Sequence, residues 1–339
     1  LLDSIKIQLI ISLIYSLKYV KKENVLISTI ESLQQIDNNN NTTAGFSNFD
    51  NNLLLTFLRI LPEEITTISI DQEDEADKNA DSFLLENIRI PVMNYIVSLI
   101  NSPNQNANNN ISILQVLKNW ALEFTLEELI HLENNTIVNY ILAQVYNSNP
   151  VDDLSNFEAA LEVLSIIIIE SKELIQLGKE DIILQLIDSI YSINDKVLKP
   201  LLISYSETED LDLLEIIIKF IVDCCESWEI LIVKQPVFFE KLLQIAIELT
   251  FPETRIVNYQ ELDFRGYFFK FWCDLQTSCG MKRFELSKPI LAPIYDQLFS
   301  RCFSMVEFPL DSFEELSDKD IFLDYRYNIS DFLKSVLKC

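Results

Sequence analysis

The chain has 339 residues, 49% of them hydrophobic, with 52 Asp and Glu against 26 Lys and Arg, a formal charge of -26. So apolar a composition argues against disorder, and four glycines with a single histidine leave little material for phosphate-cradling loops or histidine catalysis. The charge argues against direct binding to nucleic acid or anionic membranes, and favours basic protein partners.

The apolar opening, residues 5–20, carries Lys6, Gln8 and Lys18, so it reads as an amphipathic helix and not as a secretory signal or membrane span. The chain starts without Met inside that helix and ends in another over 332–339, which suggests an excerpt of a longer protein. Apolar residues recur at helical spacing in Leu54, Phe57, Leu58 and Leu61, in Leu114, Leu117, Ala121 and Phe124, and in Ile137, Ile141 and Val145. Thr125 to Glu128 and Ser155 to Glu158 fit capping boxes, Pro91 and Pro236 suit first-turn positions, and Pro289 and Pro293 would define or kink a helix start. In chain order, helices are predicted over 4–20, 24–36, 50–61, 83–101, 111–123, 134–147, 155–170, 180–194, 210–227, 236–250, 262–277, 286–306 and 320–338.

These helices pair at a spacing of roughly 45 to 60 residues, that of two-helix repeats. The predicted fold is all-α, an α-α superhelix of HEAT or armadillo-like helical hairpins. Residues 1–339 read as one continuous solenoid segment of about six to seven repeats, because a lone hairpin cannot bury both its apolar faces.

Asn38 to Asn41 and Asn104 to Asn110 read as polar loops. Two acidic loops are predicted, one with Asp71, Glu73, Asp74, Glu75 and Asp77, the other with Asp311, Glu314, Glu315, Asp318 and Asp320. They are either solvated linkers or docking sites for basic protein segments; the first lacks the glycine and distal Glu of a calcium loop. The cysteines at 224, 225, 273, 279, 302 and 339 form no CxxC pair and have no histidine beside them, so reduced, mostly buried thiols of an intracellular protein are expected, with no metal and no cofactor. His131 reads as a solvated residue, Glu63 and Glu64 receive no catalytic role, and Trp120, Trp228 and Trp272 read as packing residues.

Several segments together resemble the karyopherin (importin-β) superfamily, in its transportin-SR branch with fungal messenger-RNA-transport receptors. They are LLLTFLRILPEEI over 53–65, read as a helix ending in a Leu-Pro-Glu-Glu turn, LKNWALEF over 117–124, FEAALEVLSIIIIES over 157–171, CESWEILIVKQPVFFEKLLQIAIELT over 225–250 and FFKFWCDL over 268–275. IYDQLFSRCFSMVEFP over 294–309 and FLDYRYNISDFLKSVL over 322–337 complete the order. The chain departs from the pattern at Leu323, where Arg is usual before Asp324, Tyr325 and Arg326, and at Ser330, where Gly is usual.

The resemblance implies a nuclear import receptor for RNA-binding proteins with Arg/Ser- or Arg/Gly-rich segments, shuttling between cytoplasm and nucleus. It implies partners: the GTPase Ran in its GTP form, such cargo, and nucleoporins, with no enzyme activity. By the same resemblance, the principal Ran contact lies before Leu1 and the main cargo site after Cys339. The rival reading is a HEAT-repeat scaffold or regulatory subunit of a multiprotein complex.

Overall fold

The computed structural model describes residues 7–8, 10–14, 28–30, 32–33, 53–70, 75–101, 107–125, 129, 136–148, 150, 154–208, 210–253, 259–307 and 316–336. Among them there is no strand, and the fold is all-α, built of stacked helical hairpins. The chain divides into two compact units, Leu1–Ile167 and Ile168–Cys339.

In the first unit, the described residues of the two N-terminal segments are helical. They are followed by α1 (Leu53–Ile70), α2 (Glu75–Ile100), α3 (Ala107–Trp120) and α4 (Thr136–Asn147). Helix α1 packs against α2, its hairpin partner, and against α3, the equivalent helix one repeat on, and α2 packs likewise against α4. All three apolar stripes expected from the sequence are buried, Leu54, Phe57, Leu58 and Leu61 at no more than 1% exposure. At about 25 cal/mol for each Å² of apolar surface removed from water, such stripes are the main force behind the stacking.

Helix α5 (Leu154–Glu170) leads into the second unit. There follow α6 (Lys172–Gln176), α7 (Glu180–Ile193), a π-helical stretch at Asn194–Leu198, α8 (Lys199–Thr208), α9 (Leu211–Ser227), α10 (Glu229–Lys234) and α11 (Glu240–Thr250). The unit ends with α12 (Glu261–Arg265), α13 (Phe268–Cys279), a 3-10 turn at Lys282–Ser287, α14 (Lys288–Val306) and α15 (Leu316–Val336). Stacking repeats: α9 meets α11 and α13, α11 meets α14, and α13 and α14 both meet α15. Gly178, at φ 72°, adopts the left-handed conformation that lets the chain reverse between α6 and α7. The Asp210 carboxylate accepts the Leu213 amide at 3.1 Å and starts α9.

Several boundaries differ from expectation. Helix α1 does not end at the Leu-Pro-Glu-Glu segment but runs through Pro62 to Ile70. The amide that Pro62 lacks would have met the carbonyl of Leu58, and that carbonyl instead accepts the Trp120 indole N–H at 2.8 Å. Next to it, Arg59 O accepts the Asn119 side-chain amide at 2.6 Å. Pro91 lies deep inside α2 and not in its first turn, and Ser155 lies within α5 and does not cap it. Asn108, Asn109 and Asn110 belong to α3, outside any loop. Pro236 sits in the turn before α11, and the helix predicted over 262–277 is broken at Gly266 and Tyr267 into α12 and α13. Helices α6, α8 and α10 are additional. Asn38 to Asn41, Glu128 and His131 lie outside the described residues.

Cross-repeat bonds show the period directly. Lys118 to Glu162, Lys270 to Glu226, Lys241 to Asp195, Arg301 to Glu253 and Lys234 to Glu180 join residues 44 to 54 apart. That agrees with the spacing predicted from the helix starts.

Candidate functional site

The acidic residues proposed as contacts fall in two places. Asp71, Glu73 and Asp74 lie outside the described residues, whereas Glu75 and Asp77 belong to helix α2 and not to a loop. In the second group Asp311, Glu314 and Glu315 lie outside the described residues, while Asp318 is half-buried in the first turn of α15 and Asp320 is exposed on the same helix. Carboxylates at a helix start face the positive end of the helix dipole, which explains why these acidic stretches run into helices where loops were expected.

The three tryptophans are fully buried, as expected of packing residues. Trp228 donates its indole N–H to Ser171 Oγ at 2.7 Å, and Ser171 donates in turn to Ile168 O at 2.5 Å. Trp272 donates to Thr250 Oγ1 at 3.0 Å, and Thr250 donates to Ala246 O at 2.6 Å. Cys224, Cys225, Cys279 and Cys302 are free and buried, and Cys273 is half-buried. Burial pushes the thiols of Cys224 and Cys225 well up, that of Cys279 up to about 11 and that of Cys302 up to about 12. Such thiols hold their protons and make poor nucleophiles. Among the described residues no group of three His, Cys, Asp or Glu could hold a metal ion, and no helix is long and apolar enough to cross a membrane.

Two surface features escaped the sequence reading. A cleft of about 470 Å³ lies between α13 and α15, lined by Tyr267, Phe269, Lys270, Tyr325, Asp331 and Phe332, with the Phe269 and Phe332 rings stacked 5.0 Å apart. Lys270 is held at 3.0 Å by both Glu226 and Asp274, whose hydrogen bonds raise its pKa. A second cleft, of about 440 Å³, lies among α13, α14 and α15 beside the exposed 3-10 turn. Both are assembled from residues more than 50 positions apart, so no local motif could have shown them.

Residues 5–164 match the exportin 1-like protein family. Over 291 residues the chain is 28% identical to the mRNA transport regulator MTR10 of Saccharomyces cerevisiae. The alignment takes in 83% of this chain and 29% of that protein, so the chain spans less than a third of its relative's length.

Proposed function

Because the chain is a karyopherin of the transportin type, we propose that it forms part of a nuclear transport receptor that carries RNA-binding proteins with Arg/Ser- or Arg/Gly-rich segments into the nucleus and yields them to GTP-bound Ran. The observation that carries this reading is the similarity to an mRNA transport regulator along 83% of the chain. The charge of -26 supports it, because a long basic segment would be captured quickly by many weak, screenable contacts. The receptor works by binding and release, without covalent chemistry. It shuttles between cytoplasm and nucleus and meets nucleoporins on the way. The acidic residues Asp71, Glu73, Asp74, Glu75, Asp77, Asp311, Glu314, Glu315 and Asp318 are the proposed contacts for basic partners. Stacked repeats touch only their neighbours, so small changes at each interface let the solenoid adapt as Ran replaces cargo.

The test is a pull-down by the full-length protein with Ran locked in its GTP or its GDP form. Binding of the GTP form alone, with displacement of an Arg/Ser-rich cargo, is expected. Equal capture of both forms, or of neither, would sink the receptor reading in favour of a scaffold. In the cargo arm, neutralising Asp71, Glu73, Asp74, Glu75 and Asp77 should weaken binding and flatten its salt dependence; an unchanged slope assigns that stretch to solvation.

A further inference from the structure

Among its described residues the second unit holds a series of cations in ion pairs. Lys219, Lys234, Lys241, Arg265, Lys270, Arg301 and Lys334 each have a carboxylate within ion-pair distance. In a chain with twice as many acids as bases this is the expected outcome. The turn between α13 and α14 differs in bringing three cations without such a partner close together. Lys282, Arg283 and Lys288 are exposed and have no ion-pair partner among the described residues, and Glu285 is the one acid in the turn. Arg283 rests its guanidinium 4.7 Å from the centre of the Phe284 ring, which leaves its N–H groups directed to solvent or to a ligand.

The same turn exposes apolar side chains to an unusual degree, Leu286 at 90%, Ile290 at 44% and Met281 at 40%. It borders the 440 Å³ cleft, whose wall includes Gly280 and Lys288 and whose lining is largely apolar, with Cys279, Leu291, Tyr295 and Phe299. The floor is fixed: Tyr295 donates its hydroxyl to Trp272 O at 2.9 Å and packs edge-on against the Trp272 ring at 6.1 Å. A volume of this size lies in the range of pockets that hold ligands. Exposed apolar surface beside three unpaired cations, on a molecule that is otherwise strongly negative, is complementary to a negative, amphipathic ligand.

We propose that the turn Met281–Ile290 and the adjoining cleft dock an acidic peptide segment of a partner protein. A bulky apolar side chain of the segment enters the cleft against Tyr295 and Leu291, and its flanking carboxylates pair with Lys282, Arg283 and Lys288. Asp296, which lines the cleft as well, repels a carboxylate there and so sets the direction in which the segment lies. This partner is of opposite charge to the basic cargo, and the inference stands whether or not the receptor reading does.

The experiment titrates the full chain into a fluorescein-labelled twelve-residue peptide of Asp and Glu carrying one Phe and one Leu, followed by anisotropy. Saturable binding that weakens with salt is expected. Lys282→Gln, Arg283→Gln and Lys288→Gln together should weaken it at least tenfold, and Ala292→Trp, which fills the cleft from an exposed helix position, at least fivefold. Both variants change exposed residues, so the circular dichroism and melting temperature should match the parent. Replacing Phe and Leu of the peptide by Ala should also cost at least fivefold. No binding to the parent chain, equal binding to either variant, or equal binding of the Ala peptide would each overturn the proposal. A concentration-dependent dimer that the triple substitution abolishes would overturn it as well, by giving the face to a second copy of the chain.

Discussion

Trp228 and Trp272 solve the same problem in the same way. A buried indole N–H needs an acceptor, and in each case the acceptor is a hydroxyl that has already spent its own proton on a helix carbonyl, Ile168 O or Ala246 O. Each relay therefore ties a tryptophan to the C-terminal end of a helix earlier in the chain, α5 for Trp228 and α11 for Trp272, with no polar atom of the relay left over. Removing the hydroxyl strands the indole N–H, at a cost of about 1–3 kcal/mol. Thr250→Val, nearly isosteric, should lose that much in urea unfolding, whereas Thr250→Ser, which keeps the hydroxyl and gives up one buried methyl, should lose only about 0.8 kcal/mol. Equal losses would show that the methyl group and not the relay matters. The buried pair of Arg265 and Glu261 follows the same rule of completeness: the guanidinium serves Glu261 through two nitrogens and gives Nη1 to Leu249 O at 2.6 Å.

Helices are where the sequence was most and least readable. The apolar stripes at three- and four-residue spacing marked α1, α3 and α4, and the spans predicted for α5, α7, α9 and α14 lie within about two residues of the helices formed, because burial of one face decides helix formation more strongly than propensity does. The misreadings concentrate at prolines. The Leu-Pro-Glu-Glu segment at Pro62 reads as a turn, yet α1 passes it; beyond the predicted end at 194, α7 continues into α8 through the π-helical stretch Asn194–Leu198, where the hydrogen-bond register shifts. What rescues α1 comes from 62 residues away: the Leu58 carbonyl, deprived of an amide at Pro62, takes the Trp120 N–H. No local pattern reports that exchange. The unpaired cations of the turn were illegible for a related reason, since Lys282, Arg283 and Lys288 differ from other basic residues only in what lies opposite them. Trp120→Phe should leave Leu58 O buried and unsatisfied and destabilise the chain by at least about 1–3 kcal/mol. Pro62→Ala supplies a new amide, so its gain should be larger in the Trp120→Phe background than in the parent. A double-mutant cycle that is additive would refute the exchange.

At the scale of the whole molecule two electrostatic effects oppose each other. The cross-repeat ion pairs of the second unit, among them Lys270 with Glu226 and Lys241 with Asp195, are largely exposed, and each is worth about 0–1 kcal/mol. Against them stands the repulsion among the carboxylates that have no cation to meet, 26 more acids than bases. Both effects are screened by salt, but with opposite consequences for stability: screening the pairs loosens the stack, while screening the excess charge relieves strain on the compact state. The excess wins by number, because even with every cation paired half of the 52 carboxylates remain unpaired. Raising sodium chloride from about 20 mM, where the Debye length exceeds 20 Å, to about 300 mM should therefore raise the melting temperature. The rise should be larger for Lys270→Gln, which adds to the imbalance, and smaller for Glu215→Gln, which reduces it. A melting temperature that falls as salt is added would mean that the ladder of pairs, and not the surplus charge, governs the stability of the stacked helices.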